Sequence, residues 1–242
     1  MSEHVFYSAG QTEALSYGVK YLQQSGCVFS SKPDKNVTAL LLDTPCRNPE
    51  QLPQLLAQLP KDITVVGGKL GILELQGYQT VDLLEDPLYL AENADITAHG
   101  AIKLALGLLP VTLRDLPVLV IGWGRIGKCL ARLLQQLGCQ VTVAARKETD
   151  RAMLIALGYN GVELSANRPV CAGYRVIFNT VPAQVLTQKQ LQQYPAECLK
   201  IELASQPGLV GEDIINGRAL PNRCAPESSG QLIARSILRL CC

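Results

Sequence analysis

The sequence has few of the residues and patterns that several common functions require. Aromatic residues make up 5% of the chain, and its two histidines are too few for a histidine-based metal site. The formal net charge is +1 without charged blocks, so neither a nucleic-acid-binding surface nor a charged tail is indicated. No apolar run is long enough to span a membrane, because Lys103 and Pro110 interrupt the run at 101–113.

The amino terminus and the cysteines both lack the patterns of an exported protein. Residues 1–10 contain neither a basic region nor an apolar run, so no signal peptide is predicted and we expect a cytoplasmic protein. The nine cysteines form no C-x-x-C pair and are scattered, apart from the adjacent Cys241 and Cys242. We therefore expect reduced structural thiols and neither disulfides nor a metal site.

Helical stripes alternate with short apolar runs, which predicts parallel α/β architecture. In the first part the predicted helices are 12–24 and 49–59, and the predicted strands are 37–42, 63–66 and 78–82. A connecting helix at 93–109 follows, with Asn93, Asp95 and Thr97 as possible caps at its start. The later predicted strands are 118–121, 140–145, 174–181 and 199–204, and the later helices are 126–137, 149–157, 187–194 and 228–240.

These elements predict two domains. Residues 1–92 form a smaller flavodoxin-like α/β domain with a substrate or scaffold role, and residues 93–112 contain the connecting helix. Residues 113–242 form a Rossmann-type domain with a doubly wound parallel sheet, ending in the C-terminal helix. We expect the chain to form a homo-oligomer.

The most informative motif is a glycine turn between the strand at 118–121 and the helix at 126–137. In Gly122-x-Gly124-x-x-Gly127, the first glycine permits a tight turn, the second lets the backbone approach a pyrophosphate, and the third lets the helix pack closely on the strand. The N–H groups at the helix start then face the phosphates. The alternative is a tight strand–helix turn that binds nothing.

The end of the next strand indicates which dinucleotide binds. An NAD site usually carries Asp or Glu here, whereas this chain has Ala145 followed by Arg146 and Lys147. A small residue leaves room for a 2′-phosphate and two cations supply charge, which predicts NADP(H). The alternative is a solvated loop. Within the glycine turn, Arg125 and Ile126 are further candidate cofactor-binding residues.

Ligands of open α/β sheets bind at the carboxyl ends of the strands. Two more such ends provide candidates, with plain turns as the alternative. The first provides the cofactor-binding candidates Asn179, Thr180, Val181 and Pro182. The second provides residues 205–208, which could line the nicotinamide or the substrate.

A reaction that moves a hydride and a proton also needs a general acid or base. By residue type His99 is the candidate, although an exposed helical histidine is the alternative. Arg125 could reach a phosphate or a substrate carboxylate. No histidine occurs in the second half of the chain, where hydroxy-acid dehydrogenases often have one.

Several segments between about residues 90 and 240 resemble one family, that of the A-type, NADP-binding subunit of dipicolinate synthase. They are Asn93-x-x-x-Thr97-x-x-Gly100, Gly122-Trp-Gly-Arg-Ile-Gly127, Ala145-Arg146, Asn179-Thr-Val-Pro182, Leu203-Ala-Ser-Gln-Pro-Gly208 and Leu220-Pro-x-x-x-Ala-Pro-x-Ser-x-Gly-Gln231. The last two of these are the most specific, because generic Rossmann proteins do not share them.

The resemblance implies an NADP-linked oxidoreductase of spore-forming bacteria. Such a protein oxidises dihydrodipicolinate to dipicolinate together with a flavoprotein-like second subunit. A dicarboxylate substrate implies cationic and hydroxyl contacts, and His99 and Ser205 are the candidate catalytic residues. The candidate substrate contacts are Arg125, Thr97, Ser205, Ser228 and Ser229.

The chain also departs from the family pattern. His99 stands where the family usually has Glu, Asn222 stands where it has Gly, and the first domain is shorter. Two other functions therefore stay open. One is NADP-dependent oxidation or reduction of a small hydroxy or keto acid, and the other is a non-catalytic nucleotide-binding partner protein.

Overall fold

The computed structural model describes residues 4–164 and 173–241. Its chain divides into two compact units, one made of Met1–Asn93 with Pro221–Cys242 and the other of Ala94–Leu220. Cys171 and Cys242, which the sequence predicts as reduced thiols, lie outside the described residues.

The first unit contains a five-stranded parallel sheet. Its strands are β1 (Val5–Ser8), β2 (Val28–Phe29), β3 (Ala39–Leu41), β4 (Thr64–Gly67) and β5 (Gln79–Asp82). They lie in the order β2-β1-β3-β4-β5, which is the flavodoxin-like arrangement that the sequence predicts. The central β3 is buried along its whole length, as its apolar run requires.

Helices α1 (Glu13–Gln24) and α2 (Leu52–Leu56) accompany this sheet, with a 3₁₀ turn at Pro49–Gln51 before α2. Thr12 begins α1, because its hydroxyl accepts a hydrogen bond from the Leu15 backbone N–H. The buried Asp43 carboxylate in turn accepts from the Thr12 hydroxyl at 2.6 Å. The end of β3 is thereby joined to the start of α1.

Helix α3 (Pro87–Leu106) begins earlier than the sequence predicts. The Asp86 carboxylate accepts from the Tyr89 N–H at 2.9 Å, and Pro87 occupies the first helical position, where its missing N–H costs no hydrogen bond. Asn93 and Asp95, considered as caps from the sequence, therefore lie inside the helix. The division between the two units falls within α3, after Asn93.

The second unit contains a six-stranded parallel sheet. In chain order its elements are β6 (Pro117–Ile121), α4 (Arg125–Gln136), β7 (Gln140–Ala145), α5 (Glu148–Ala156), β8 (Asn160–Glu163), β9 (Val176–Asn179), α6 (Gln188–Leu191), β10 (Leu199–Glu202) and β11 (Ile214–Asn216). The strand order is β11-β10-β9-β6-β7-β8, so the direction of winding reverses between β6 and β9. This is the doubly wound sheet that the sequence predicts.

The last two helices are α7 (Leu220–Cys224) and α8 (Pro226–Cys241). Leu232, Ile233 and Ile237 are buried on one face of α8, which packs against α1. The contact is close, since a Cβ at Gly230 would lie 2.5 Å from the Ala14 carbonyl oxygen. Residues from Pro221 onward therefore group with the first unit, which differs from the predicted domain at 113–242.

Candidate functional site

The glycine turn after β6 has three positions with different steric surroundings. Gly122 has a φ of +105°, and a Cβ there would lie 2.4 Å from the Thr180 Oγ1. At Gly127, a Cβ would lie 2.2 Å from the Gly122 carbonyl oxygen, so α4 packs directly on the turn. Gly124 is exposed, and apart from its chain neighbours no described atom lies within 4 Å of a Cβ there. The turn is thus tightly packed on the protein side and open on the other.

The start of α4 is suited to an anion. Gly124 is the residue before the helix, and no side chain among the described residues caps it. The first N–H groups of a helix have no partner within the helix, and they carry its positive dipole end. A phosphate placed over Gly124 would accept from these groups.

A cavity of about 400 Å³ lies beside this turn. Its lining residues come from the turn, from the region after β7 and from the region after β9. They are Gly122, Trp123, Gly124, Ala145, Arg146, Lys147, Asp150, Leu164, Val181, Ala183, Gln184 and Val185. Below, this space is called the turn cavity.

Two exposed cations and one carboxylate line the turn cavity near the end of β7. Arg146 and Lys147 are exposed, whereas the preceding Ala145 is 2% exposed. The Arg151 guanidinium donates to the carbonyl oxygens of Ala145 at 3.1 Å and Arg146 at 2.8 Å, which holds the backbone at the strand end. Asp150 supplies the opposing charge.

The loop after β9 packs against the glycine turn. Thr180 donates both its backbone N–H and its hydroxyl to the Ile121 carbonyl oxygen, each at 2.9 Å. The hydroxyl proton is therefore engaged within the protein. Val181 lines the turn cavity and Pro182 is exposed, while Asn179 is fully buried.

The motifs in the sequence did not predict a role for Glu202, whose carboxylate accepts several hydrogen bonds in this region. This side chain is 4% exposed and accepts hydrogen bonds from the loops after β9 and β10. The available signal was an acidic residue at the end of an otherwise buried strand, directly before the segment that contains Ala-Ser-Gln-Pro-Gly. A buried carboxylate needs several donors, so such a position indicates a local network.

The candidate substrate and catalytic residues are distributed over both units. Ser205 is exposed in the loop after β10, and Thr97 is buried within α3 in the second unit. Ser228 and Ser229 lie on α8 in the first unit. Ser228 is exposed, whereas Ser229 is buried and its hydroxyl has no hydrogen-bond partner among the described residues.

His99 does not line the turn cavity. Its imidazole lies on an exposed face of α3, with Nε2 3.6 Å from the Asp95 carboxylate. Arg132 of α4 contacts the other oxygen of Asp95 at 3.3 Å. Arg125, in the first turn of α4, is also exposed.

Trp123 lines the turn cavity and is the single tryptophan of the chain. Its ring meets that of Tyr159 edge-on with 5.7 Å between centroids, and the Lys128 ammonium lies 5.8 Å from its centroid. These contacts fix the indole next to the glycine turn. Its fluorescence is therefore suited to report binding in this cavity.

Two further surveys cover the described residues only. Within residues 4–164 and 173–241, no group of three or more His, Cys, Asp or Glu side chains could hold a metal ion. In the same part of the chain, no helix combines the length and the apolar character needed to cross a membrane.

Comparison with known families shows a nucleotide-binding domain. Residues 84–200 match the family described as D-isomer specific 2-hydroxyacid dehydrogenase, NAD binding domain. A curated relative is the A-type subunit of dipicolinate synthase from Bacillus subtilis (strain 168), 28% identical over 156 residues, which are 61% of this chain and 52% of the relative. The chain thus matches about half the length of this relative.

Solved structures share the fold. The crystal structure of the A-type subunit of dipicolinate synthase from Bacillus halodurans has a TM-score of 0.83 at 23% identity, covering 98% of this chain and 97% of that one. A transhydrogenase from Sinorhizobium meliloti has a TM-score of 0.71 at 13% identity, covering 98% and 92%. The dehydrogenase-type domain supports an oxidoreductase. The resemblance to the A-type subunit of dipicolinate synthase is confirmed, and residues 84–200 are similar to the NAD-binding domain of D-isomer specific 2-hydroxyacid dehydrogenases.

Proposed function

We propose that the chain is an NADP-dependent oxidoreductase similar to the A-type subunit of dipicolinate synthase. It oxidises dihydrodipicolinate to dipicolinate together with a flavoprotein-like second subunit, in the cytoplasm of a sporulating cell. The observation that carries the proposal is the turn cavity, which joins an open glycine turn to two cations at the end of β7.

The preference for NADP(H) rests on the charges at the strand end. Ala145 places a methyl group where an NAD site usually has a carboxylate that binds the ribose 2′-OH. Arg146 and Lys147 provide two cations, and the guanidinium of Arg151 adds a third beside the same backbone. Among the residues that line the turn cavity, Arg146 and Lys147 outnumber the Asp150 carboxylate, so a 2′-phosphate would meet a net positive charge there.

The pyrophosphate fits the open side of the turn. Gly122, Gly124 and Gly127 hold the turn, and the N–H groups that begin α4, from Arg125 and Ile126 onward, donate to the phosphates. When bound, an oxidised nicotinamide supplies a hydride acceptor. Asn179, Thr180, Val181 and Pro182 would lie under the nicotinamide ribose, with Asn179 buried and Pro182 exposed.

Formation of the aromatic ring removes one hydride and one proton from dihydrodipicolinate. We assign Ser205 to the substrate because its exposed hydroxyl follows β10 at the carboxyl end of the sheet. His99 or water accepts the proton, and the exposed imidazole can pass it to solvent. The substrate roles of Arg125, Thr97, Ser228 and Ser229 stay predictions from the sequence.

A titration with NADPH and NADH tests the cofactor assignment. Reduced nicotinamide absorbs tryptophan emission, so binding near Trp123 quenches its fluorescence. Hydrogen bonds to charged groups contribute about 1.5–3 kcal/mol. Arg146→Asp should therefore weaken NADPH binding by about ten- to a hundredfold, with little effect on NADH.

Arg114→Asp is the matched control, because it makes the same charge change at an exposed position of the same unit that does not line the turn cavity. It should leave NADPH binding within about twofold of wild type. Equal affinity for the two cofactors, or an equal loss from both variants, would refute the assignment to NADP(H).

The reaction is tested with the second subunit, dihydrodipicolinate and NADP⁺, by following dipicolinate absorbance. Product should form only when all components are present. A preparation that binds NADPH but yields no dipicolinate would exclude this reaction. The second candidate function, oxidation of a small hydroxy acid, is favoured by the family match of residues 84–200. Reduction of NADP⁺ by a panel of hydroxy acids tests it directly.

A further inference from the structure

One buried carboxylate joins two loops at the carboxyl edge of the second sheet. Glu202 is the last residue of β10, and the neighbouring β9 ends at Asn179, its partner in the sheet register. The Asn179 amide nitrogen donates to Glu202 Oε1 at 2.8 Å and approaches Oε2 at 3.1 Å. The end of one strand is thus tied to the end of the next by side chains.

Three backbone N–H groups complete the surroundings of this carboxylate. Ala204 donates to Oε1 at 3.0 Å, while Gly208 and Leu209 donate to Oε2 at 2.8 and 2.9 Å. Both oxygens therefore accept from protein donors, and the loop from Ala204 to Leu209 is closed into a ring around Glu202. Ser205 lies within this ring.

The same loop packs tightly on the loop after β9. A Cβ at Gly208 would lie 2.3 Å from the Asn179 amide nitrogen and 2.8 Å from the Val181 carbonyl oxygen. The Gly208 carbonyl oxygen accepts from the Val185 N–H at 2.8 Å. Val181 and Val185 both belong to the loop after β9, so the Glu202 network fixes the position of that loop.

A dinucleotide binds across the crevice where the strand order reverses, here between β6 and β9. Arg146 follows β7 on one side of this point, and β9 and β10 lie on the other side. The adenosine half would therefore contact the β7 side, and the nicotinamide half would lie over the loops after β9 and β10.

We infer that Glu202 is a positioning residue for the nicotinamide half of the site. It holds the loops after β9 and β10 in one arrangement, and it does so without touching the adenosine half. This inference rests on the proposed function, because it requires a nicotinamide dinucleotide in the turn cavity.

Glu202→Gln tests the inference with almost no change in volume. An amide in place of the carboxylate directs N–H groups at backbone N–H donors, either at Ala204 or at Gly208 and Leu209. The loops must then shift. Titration calorimetry compares NADPH with adenosine 2′,5′-bisphosphate, a fragment that lacks the nicotinamide half.

The expected result is selective. Glu202→Gln should weaken NADPH binding by about tenfold or more and change fragment binding by less than about twofold. Glu212→Gln, the same chemical change at an exposed position of the same unit, should alter neither affinity. An equal loss of both affinities in Glu202→Gln would show a general structural role and overturn the inference, as would unchanged NADPH affinity.

Asn179→Ala keeps the test decisive if Glu202→Gln does not fold. It removes the Asn179 bond to Glu202 and the two bonds that the Asn179 amide makes with the Val181 backbone, but it leaves the Glu202 carboxylate its three backbone donors. The same selective loss is expected, with a smaller factor. If wild-type protein binds neither probe, the proposed function fails. If wild type binds both probes and the variants show no selective loss of NADPH affinity, only the role of Glu202 fails.

Discussion

Alanine substitutions at Gly124 and Gly122 should separate cofactor binding from folding. Gly124 has a φ of −81° and a ψ of −170°, which alanine adopts without strain. Apart from chain neighbours, its Cβ would meet no described atom within 4 Å. We therefore expect Gly124→Ala to change the free energy of unfolding by less than about 0.5 kcal/mol.

Gly122→Ala should instead destabilise the second unit. Its φ of +105° costs a residue other than glycine about 1–3 kcal/mol. The new Cβ would also lie 2.4 Å from Thr180 Oγ1 and 2.8 Å from Val181 Cγ2, and overpacking adds about 1–3 kcal/mol. A loss of about 2–6 kcal/mol is large against a typical total stability of about 5–15 kcal/mol.

Urea unfolding measures the free energy of unfolding of each variant, and quenching of Trp123 fluorescence measures its affinity for NADPH. The Gly124 methyl group occupies the open side of the turn, so Gly124→Ala should weaken NADPH binding by about tenfold or more while the protein stays stable. Gly158→Ala is the control for backbone strain alone, because its φ is +81° and its Cβ would be in open space among the described residues. Wild-type affinity in Gly124→Ala, or wild-type stability in Gly122→Ala, would refute this reading of the turn.

Two further outcomes concern packing and thiol chemistry. Gly230→Ala should destabilise the first unit by about 1–3 kcal/mol in thermal unfolding, because its Cβ would lie 2.5 Å from the Ala14 carbonyl oxygen. A wild-type melting temperature would contradict the close packing of α8 on α1. Burial raises the pKa of Cys139 and of Cys198 to about 11, so iodoacetamide should alkylate both slowly at neutral pH until denaturant is added. Because the fold buries the neutral thiols, their contribution to stability is complete below the ordinary pKa of 9.0 and is lost as the pH rises toward 11. Rapid native alkylation at either cysteine would contradict the burial.

Strands buried on both faces could be predicted from the sequence, whereas three of the four edge strands of the described sheets could not. The central strands β6 and β9 are apolar runs with no exposed residue in their middle. The edge strands β2, β8 and β11 have two to four residues that are exposed or half-buried, so no continuous apolar run indicates them. Strand β1 was missed for a similar reason, because only Phe6 is fully buried.

Long-range packing explains the remaining differences. The apolar stripe of α8 predicts that one face is buried, but it does not say against which helix. The partner is α1, where Gly18 and Gly230 permit the close approach. The start of α3 differs from the prediction for a local reason, because Asp86 followed by Pro87 is also a helix-start pattern.

The two sides of the candidate site differ in the same way. The glycine turn and the residues Ala145 to Lys147 lie within single local segments, so their residue types and spacing suffice to predict a dinucleotide site. The Glu202 network joins donors from Asn179 to Leu209, which the sheet brings together. No sequence spacing connects these residues, so the sequence alone does not distinguish Glu202 from an ordinary strand residue.

This separation predicts that Arg146→Asp and Glu202→Gln act independently. The Arg146 backbone is held by Arg151 at the end of β7, whereas the Glu202 carboxylate bonds only to Asn179 and the loop after β10 among the described residues. Substitutions without shared partners usually add within about 0.5 kcal/mol. The loss of NADPH affinity in the double variant should therefore equal the product of the two single losses, measured by quenching of Trp123. If the double variant binds NADPH as tightly as the weaker-binding single variant, both residues act through one common element. The assignment of Arg146 to the adenosine half and of Glu202 to the nicotinamide half would then be refuted.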